Sequence, residues 1–497
     1  MMQTLQQGMP LRDALEKVKV LGRSGPDNPD ILGITCDSRL VRPGWLYVAI
    51  RGHSQDGVRF ADDAVRRGAA ALMAEERLNL APPVAMVHVA DARAALAGTA
   101  LKFFGDPAAS LLLIGATGTN GKTTVAFMCS AILKAAGKNP GLIGTVRYEI
   151  GGRSIPASRT TPDAAEIQQM LSSMLKAGCR SAVMEVSSHA LDQRRTEGLE
   201  FDAAVFTNLS QDHLDYHKDF ESYFSAKKKL FESLAAGRKK GVAVVNRACP
   251  WGTRLCNEIG GRSRLVTFGT MDSDVRAGNI QADREGSVFH MDSPWGNREM
   301  RIRLPGRFNV SNALAATAAC GAVGVDLNTI RSALENFETA PGRLERIANR
   351  HGFSVFVDYA HTPDALQNVL ATLRELTDKK LIAVFGCGGD RDRTKRPLMG
   401  AAVTGAADAA VITSDNPRTE DPLAIIREIE AGCAGRKYEV EPDRRKAISM
   451  ALAMARPGDI VLIAGKGHET YQEFGKTMTP FDDRQVAREL LGEEQPS

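Results

Sequence analysis

No apolar run in this 497-residue chain is both long and free of polar interruption. The best candidate for a membrane span, FNVSNALAATAACGAVGV (308–325), is rich in alanine and glycine and carries Asn309, Ser311 and Asn312, so it reads as a buried helix. The N-terminal stretch MMQTLQQGMPLRDALEKVKV lacks the apolar core of a secretory signal. Charge of one sign is also lacking: 63 Lys and Arg against 59 Asp and Glu leave +4, which gives no electrostatic footprint for nucleic acid or a membrane surface. The eight cysteines are scattered, with no CxxC. Cys249 and Cys256 have no histidine cluster to complete a zinc site, so reduced thiols in a cytoplasm are expected, not disulfides. There is no internal repeat or low-complexity tract, and no apolar interface helix is evident, so a monomer is expected.

The composition, 43% hydrophobic and 25% charged, is that of an ordinary globular protein. Its length exceeds what one core supports, which predicts three domains of roughly 100–200 residues each. Short strand-like runs (WLYVAI, AALMAE, VAMVHV) and an alanine-rich helix near 91–104 make up residues 1–108, and FGDPAAS reads as a linker. From 109 to 340, strand-like runs alternate with helices: LLLIGA before a helix at about 122–136, then AVMEV, AAVFTN and VAVVN. This alternation predicts an α/β fold with a mostly parallel sheet. After TAPGRLERI, the runs FSVFVDYA, LIAVFGCGG, DAAVITSDNP and DIVLIAGKG predict a second doubly wound α/β unit over 341–497, with ligands beyond its strand ends.

LLLIGATGTNGKTT (111–124) is a phosphate loop between a strand and a helix. Gly121, Lys122 and Thr123 satisfy the end of the G-x4-G-K-[ST] pattern, whereas Ala116 replaces its first glycine and Gly115 and Gly118 stand at shifted positions. Backbone N–H groups of Gly118, Thr119, Asn120, Gly121 and Thr124 would face an anion, Lys122 would reach the terminal phosphates, and the Thr123 hydroxyl would ligate Mg²⁺. The loop alone does not separate a kinase, a switch, a motor or a ligase.

In KDFESYFSAKKKLFESLAAG, Phe220, Tyr223, Phe224, Leu230, Phe231 and Leu234 form one stripe of a helix. Lys227 falls within that stripe, while Lys228 and Lys229 project elsewhere. Lys227 either snorkels from the edge of the apolar face or is desolvated, with a lowered pKa and a neutral, reactive amine. Carbon dioxide would convert such an amine to a carbamate, an oxygen ligand for a hard cation. Glu185 at the end of AVMEV, and Asp212, His213, Asp215 and His217 in NLSQDHLDYH, are further candidates for a metal beside a phosphate loop. His213 and His217 as a zinc pair on a helix is the weaker reading, since a loop is expected here. In TSDNPRTEDP, Pro417 holds Asn416 extended, which marks a shaped loop or a simple Asx-Pro turn.

Taken together, GTNGKTT, EVSSHALDQRR, NLSQDHLDYH, SAKKKLF, RFNVSNALAA, PGRLERI, DYAHTPD and GCGGDRDRTKRPLMG resemble the Mur ligase family, in order and over nearly the whole chain. The resemblance implies an N-terminal UDP-binding domain, a central P-loop ATPase and a Rossmann-like C-terminal domain. It also implies the ATP-dependent addition of an amino acid to a cytoplasmic peptidoglycan precursor through an acyl phosphate. Thr123 and Glu185 would then hold one Mg²⁺, and His213 and carbamylated Lys227 a second. Asn309 would sit on the adenine side, Arg343 would contact phosphate, and Asp358 would lie near the nucleotide. Cys36, Ser38, His53, Ser54 and Gln55 match positions of the UDP site, and Thr160, Thr161, Ser187, Gln193 and Arg195 match those that grip the muramoyl-dipeptide.

Within the family, the chain is most similar to ligases that extend UDP-N-acetylmuramoyl-L-alanyl-D-glutamate at the D-Glu γ-carboxylate. Asp415-Asn416-Pro417-Arg418 resembles the signature of those that add meso-2,6-diaminopimelate. Arg418 would take the carboxylate that lysine lacks, Arg391 would add a second cation, Gly465 would allow close backbone approach, and Glu469 would accept from the distal ammonium. Such a site would reject lysine because its arginine would be left unpaired. A lysine-adding or dipeptide-adding sibling, folylpolyglutamate synthase and a nucleotide-binding switch that makes no bond are the alternatives.

Overall fold

The computed structural model describes residues 8–52, 56–79, 83–433 and 437–492. Its centre is an eight-stranded sheet in the spatial order Arg153–Pro156, Arg147–Ile150, Pro140–Ile143, Ser181–Glu185, Leu112–Thr117, Ala203–Phe206, Val242–Asn246, Arg264–Phe268. The last six strands run parallel, and the first two form an antiparallel edge. Leu112–Thr117 lies between Ser181–Glu185 and Ala203–Phe206, and the chain leaves it in one direction and later continues in the other. This is the switch point at which open parallel sheets bind ligands. The register sets Glu185 opposite Ala116 and Phe206 opposite Thr117, so three strand ends converge on the phosphate loop.

Both faces of this sheet are covered, as a parallel sheet requires. Val183, Val205 and Val244 pack with Val125, Met128, Ile132 and Ala315 on one face. Met184, Phe206 and Val245 pack with Phe224, Phe231 and Leu234 on the other. Each of the larger side chains among these contributes about 1.5–3 kcal/mol by leaving water. The 308–325 stretch lies largely within the Arg307–Ala322 helix, buried almost all round, and none of the described helices is long and apolar enough to cross a membrane.

A five-stranded sheet, Val20–Ser24, Ala85–Val89, Ala71–Ala74, Trp45–Val48, Gly33–Thr35, precedes the central one, with only Val20–Ser24 antiparallel. A six-stranded sheet follows it: Glu345–Ile347, Ser354–Asp358, Ile460–Ala464, Leu381–Phe385, Ala409–Ile412, Glu439–Val440. Here only Glu345–Ile347 is antiparallel. The FGDPAAS stretch is not a bare linker, because Pro107–Ser110 forms a 3-10 turn. The sequence reading also missed an antiparallel three-stranded sheet, Arg276–Asp283, Gly286–Ser293 and Gly296–Ile302. Its strands bury one face only, with Phe289 and Met291 inward and His290 exposed between them, so they lack the continuous apolar runs of the parallel strands. All eight cysteines are free.

Candidate active site

A cavity of about 730 Å³ opens above the switch point. Gly118 through Thr124 line it, as do Glu185, His213, Lys227, Asn309, Arg343 and Asp358, so residues far apart in sequence share one space. Gly118 has φ +149°, and a Cβ there would stand 1.9 Å from Thr207 Oγ1, so only glycine fits. Gly121, with φ +87°, starts the Lys122–Ala135 helix, whose N-terminus faces the cavity. Thr119 Oγ1 pairs with Tyr223 Oη at 3.1 Å, and Asn120 N donates to Asn208 Oδ1 at 2.9 Å, bracing the loop from two sides.

Lys122 Nζ donates to the Gly118 and Thr119 carbonyls at 2.9 Å each, and desolvation lowers its pKa. Glu185, fully buried, accepts from Thr123 Oγ1 at 2.9 Å, Thr145 Oγ1 at 3.0 Å and Thr145 N at 2.8 Å. The carboxylate and the Thr123 hydroxyl are thus joined before any ligand arrives. Arg343 Nη2 donates to the same hydroxyl at 3.1 Å, its guanidinium lies 4.6 Å from the Tyr359 ring centre, and its buried Nε has no hydrogen-bond partner among the described residues. An unpaired buried cationic donor beside a phosphate loop suits an anionic oxygen.

Lys227 is 1% exposed, which rules out a snorkelling side chain. The helix Phe220–Ala236, capped by Asp219 at its start, turns it inward. Its Nζ donates to Gly118 O at 3.0 Å and lies 4.5 Å from the Tyr223 ring centre. Desolvation, and then Lys122, hold its pKa well below that of an ordinary lysine, favouring the neutral amine. Lys228 and Lys229 instead reach Glu258 and Asp192. Phe220 departs from the expected stripe: it is 36% exposed at the first turn and stacks on Trp251.

His213 sits at φ +55° before a short helix, Leu214–His217, where a loop was expected. Desolvation lowers its pKa to about 3, which favours the neutral ring, and its Nε2 lies 3.3 Å from Asp212 Oδ2. His217 is buried and stacks on Tyr223, and its ring centre lies 5.6 Å from that of His189. Asn309 Nδ2 donates to Pro305 O at 2.9 Å and its Oδ1 accepts from Asn312 at 3.3 Å; both side chains are buried, and that of Asn312 lies beside Gly121. Asp358 accepts from Leu344 N and Ala360 N, and burial raises its pKa. Asp364, not singled out in the sequence, accepts from Asn120 at 2.8 Å and Ser210 at 2.9 Å.

The dipeptide candidates form a connected group on the other side of Glu185. Thr161 Oγ1 donates to Glu185 O at 2.8 Å and accepts from Ser187 N at 3.0 Å, and Thr160 Oγ1 pairs with Thr145 Oγ1 at 3.0 Å. Arg195 donates to Thr161 O at 2.7 Å and to Gln193 Oε1 at 2.8 Å. Cys36 is half-buried beside Asp163, burial pushing its thiol pKa up, and Ser38 is buried with a hydrogen bond to Asp63. His53, Ser54 and Gln55 lie outside the described residues.

The C-terminal candidates also meet. Asp415 and Asn416 are buried, and Gly465, at φ +114°, would place a Cβ 2.6 Å from Asp415 Oδ2. Pro417 O comes within 1.9 Å of where a Cβ on Gly389 would stand, locking the two loops together. A Cβ on Gly388 would stand 3.0 Å from Arg418 Nη1 and 3.9 Å from Arg391 Cγ, which places both arginines at that loop. Arg391 is exposed, and its Nη1 donates to Asp390 O. Lys466, missed in the sequence, is fully buried and donates to Asn416 Oδ1 at 3.1 Å and Glu469 Oε2 at 3.0 Å. Asn416 Nδ2 donates to that same Glu469 oxygen at 2.8 Å.

Three family models match the chain: Mur ligase family, catalytic domain, over 30–103; Mur ligase middle domain over 116–320; and Mur ligase, glutamate ligase domain over 342–467. The chain is 47% identical over 472 residues to a UDP-N-acetylmuramoyl-L-alanyl-D-glutamate--2,6-diaminopimelate ligase from Geobacillus thermodenitrificans, covering 94% of this chain and 96% of the relative. It is 41% identical to one of the same name from Caldanaerobacter subterraneus, covering 98% and 99%. A solved structure with that name superposes with a TM-score of 0.66 at 34% identity, over 93% of this chain and 95% of the other. With the phosphate loop, the inward lysine and both flanking sheets accounted for along its length, the chain belongs to the Mur ligase family.

Proposed function

We propose that this chain is an ATP-dependent ligase that joins meso-2,6-diaminopimelate to the D-Glu γ-carboxylate of UDP-N-acetylmuramoyl-L-alanyl-D-glutamate, acting as a cytoplasmic monomer. The observation that carries the reading is Lys227, an inward-turned amine resting on the Gly118 carbonyl of the phosphate loop. A nucleotide-binding switch that makes no bond has no use for such a group. The 41–47% identity to ligases of that name over nearly the full chain supports the choice of substrates.

A carboxylate is a poor electrophile, so ATP first phosphorylates the γ-carboxylate, and an amine of the incoming amino acid then expels phosphate. Lys122, released from its two carbonyls, and Arg343, with its free Nε, pair with the oxygens of the transferring phosphoryl group, where negative charge gathers. Thr160, Thr161, Ser187, Gln193 and Arg195 orient the precursor so that its carboxylate faces that group. The donor set also fits Mg²⁺: Thr123 with Glu185 would hold one ion, and neutral His213 with carbamylated Lys227 a second. Bound there, Mg²⁺ supplies Lewis-acid neutralisation of phosphate charge. Asn309, which lines the cavity, would contact the adenine side of the nucleotide. Arg418 receives the distal carboxylate of the amino acid, and Asp415, Asn416 and Glu469 face its ammonium.

The test is phosphate release from ATP with the UDP-muramoyl-dipeptide and either meso-diaminopimelate or lysine. Turnover with diaminopimelate is expected. Turnover with lysine alone would end the assignment of substrate, and silence with every amino acid would end the assignment of activity.

A further inference from the structure

The guanidinium of Arg418 already holds a carboxylate. Its Nε lies 2.9 Å from Glu473 Oε2, and its Nη1 donates to Gly389 O at 2.7 Å. The backbone fixes this pairing, because Arg418 N donates to Glu473 O at 3.0 Å and Gly475 N donates to Arg418 O at 2.6 Å. Glu473 N in turn donates to Asn416 Oδ1 at 3.0 Å. The hairpin Tyr471–Phe474 and Thr477–Pro480 therefore delivers Glu473 to Arg418. Both side chains keep some contact with solvent, 18% for Arg418 and 30% for Glu473, so the pair is open to exchange with another carboxylate.

Resting on the reading that Arg418 receives the distal carboxylate of the amino acid, we propose that Glu473 is a specificity-determining residue, a resident carboxylate that the incoming one displaces. Two consequences follow from simple competition. An arginine occupied part of the time binds diaminopimelate with an affinity reduced by the occupied fraction. The same arginine is not left unpaired when lysine enters, so the usual penalty for a missing substrate group is softened. Glu473 thus weakens the preferred amino acid and narrows its lead over lysine.

The experiment compares wild type with Glu473→Gln, measuring KM for meso-diaminopimelate, lysine and ATP, with calorimetric titration of meso-diaminopimelate alongside. Removing the competitor is expected to lower KM and Kd for diaminopimelate by about twofold to fivefold, the range of a partly exposed ion pair. KM for ATP should stay in place, and the ratio of kcat/KM for diaminopimelate over lysine should rise. In an Arg418→Ala background the same substitution should change nothing. An unchanged or raised KM for diaminopimelate in an active Glu473→Gln enzyme would overturn the proposal, since Glu473 would then orient Arg418 and not compete for it. A wild-type enzyme that neither binds nor uses diaminopimelate overturns the substrate assignment first, and this proposal with it.

Discussion

The amines of Lys122 and Lys227 meet on one carbonyl oxygen, that of Gly118, at 2.9 and 3.0 Å. Desolvation, and then the charge of Lys122 so close by, hold the pKa of Lys227 well below that of an ordinary lysine. The neutral form that reacts with carbon dioxide is thereby favoured at Lys227.

Lys227→Ala is expected to lower turnover on the order of a thousandfold, the scale of losing a group that stabilises the transferring charge. Added bicarbonate should not restore it. Lys227→Arg should fail equally, because a guanidinium stays charged and forms no carbamate. Phosphate release measured with and without bicarbonate checks both, and full activity in either variant would remove the carbamate from the mechanism.

Arg418→Ala should raise KM for diaminopimelate by roughly tenfold to a hundredfold, the worth of hydrogen bonds to a charged group. KM for ATP should barely move, since Arg418 does not line the nucleotide cavity. Steady-state kinetics in each substrate would show this, whereas an equal loss in both would point to general damage.

Arg444 and Asp483 are both fully buried and pair twice at 2.7 Å, and Arg444 also donates to Ala464 O at 2.9 Å and Ser414 O at 3.3 Å. Arg444→Met strands a buried carboxylate and should cost about 3–5 kcal/mol of stability. Replacing both partners with apolar residues should cost less. Denaturant unfolding followed by C-terminal fluorescence labels would separate the two outcomes.

Burial pushes His361 down to about 4 and His468 down to about 3. Unfolded histidines take up protons near pH 6.5, before these folded ones do, so protons bind the unfolded chain preferentially. Stability should therefore be complete above about pH 6.5 and decline as the pH falls from there toward 4. Thermal melts at pH 7.5 and 5 would show the fall, and His361→Gln should flatten it.

The phosphate loop, the parallel strands and the inward lysine were legible because each is written locally, in a glycine–lysine spacing, an apolar run or a helical stripe. Phe220 belonged to the same stripe but lies at the first turn, where it stacks on Trp251 and stays partly exposed, and periodicity does not report ends. Lys466, Arg444 and Glu473 were not legible. Each is a charged residue in an ordinary-looking stretch, and the partners of the first two lie up to 50 residues away. Burial of such groups is decided by the loops that fold over them. The one-sided antiparallel sheet at 276–302 escaped for the opposite reason, since its exposed face dilutes the apolar pattern.

The cavity owes its shape to two stretches of chain that lie far apart in sequence. Asp364 reaches Asn120 and Ser210, and Arg343 reaches Thr123, so the helix Pro363–Glu375 and the segment before the last sheet close over the phosphate loop. A fragment ending near residue 340 would be a trough with one bank missing, able to cradle a nucleotide yet unable to seal it. The cavity is consequently a joint product of the central and last parts of the chain, and a change in that remote helix is felt first at the phosphate loop.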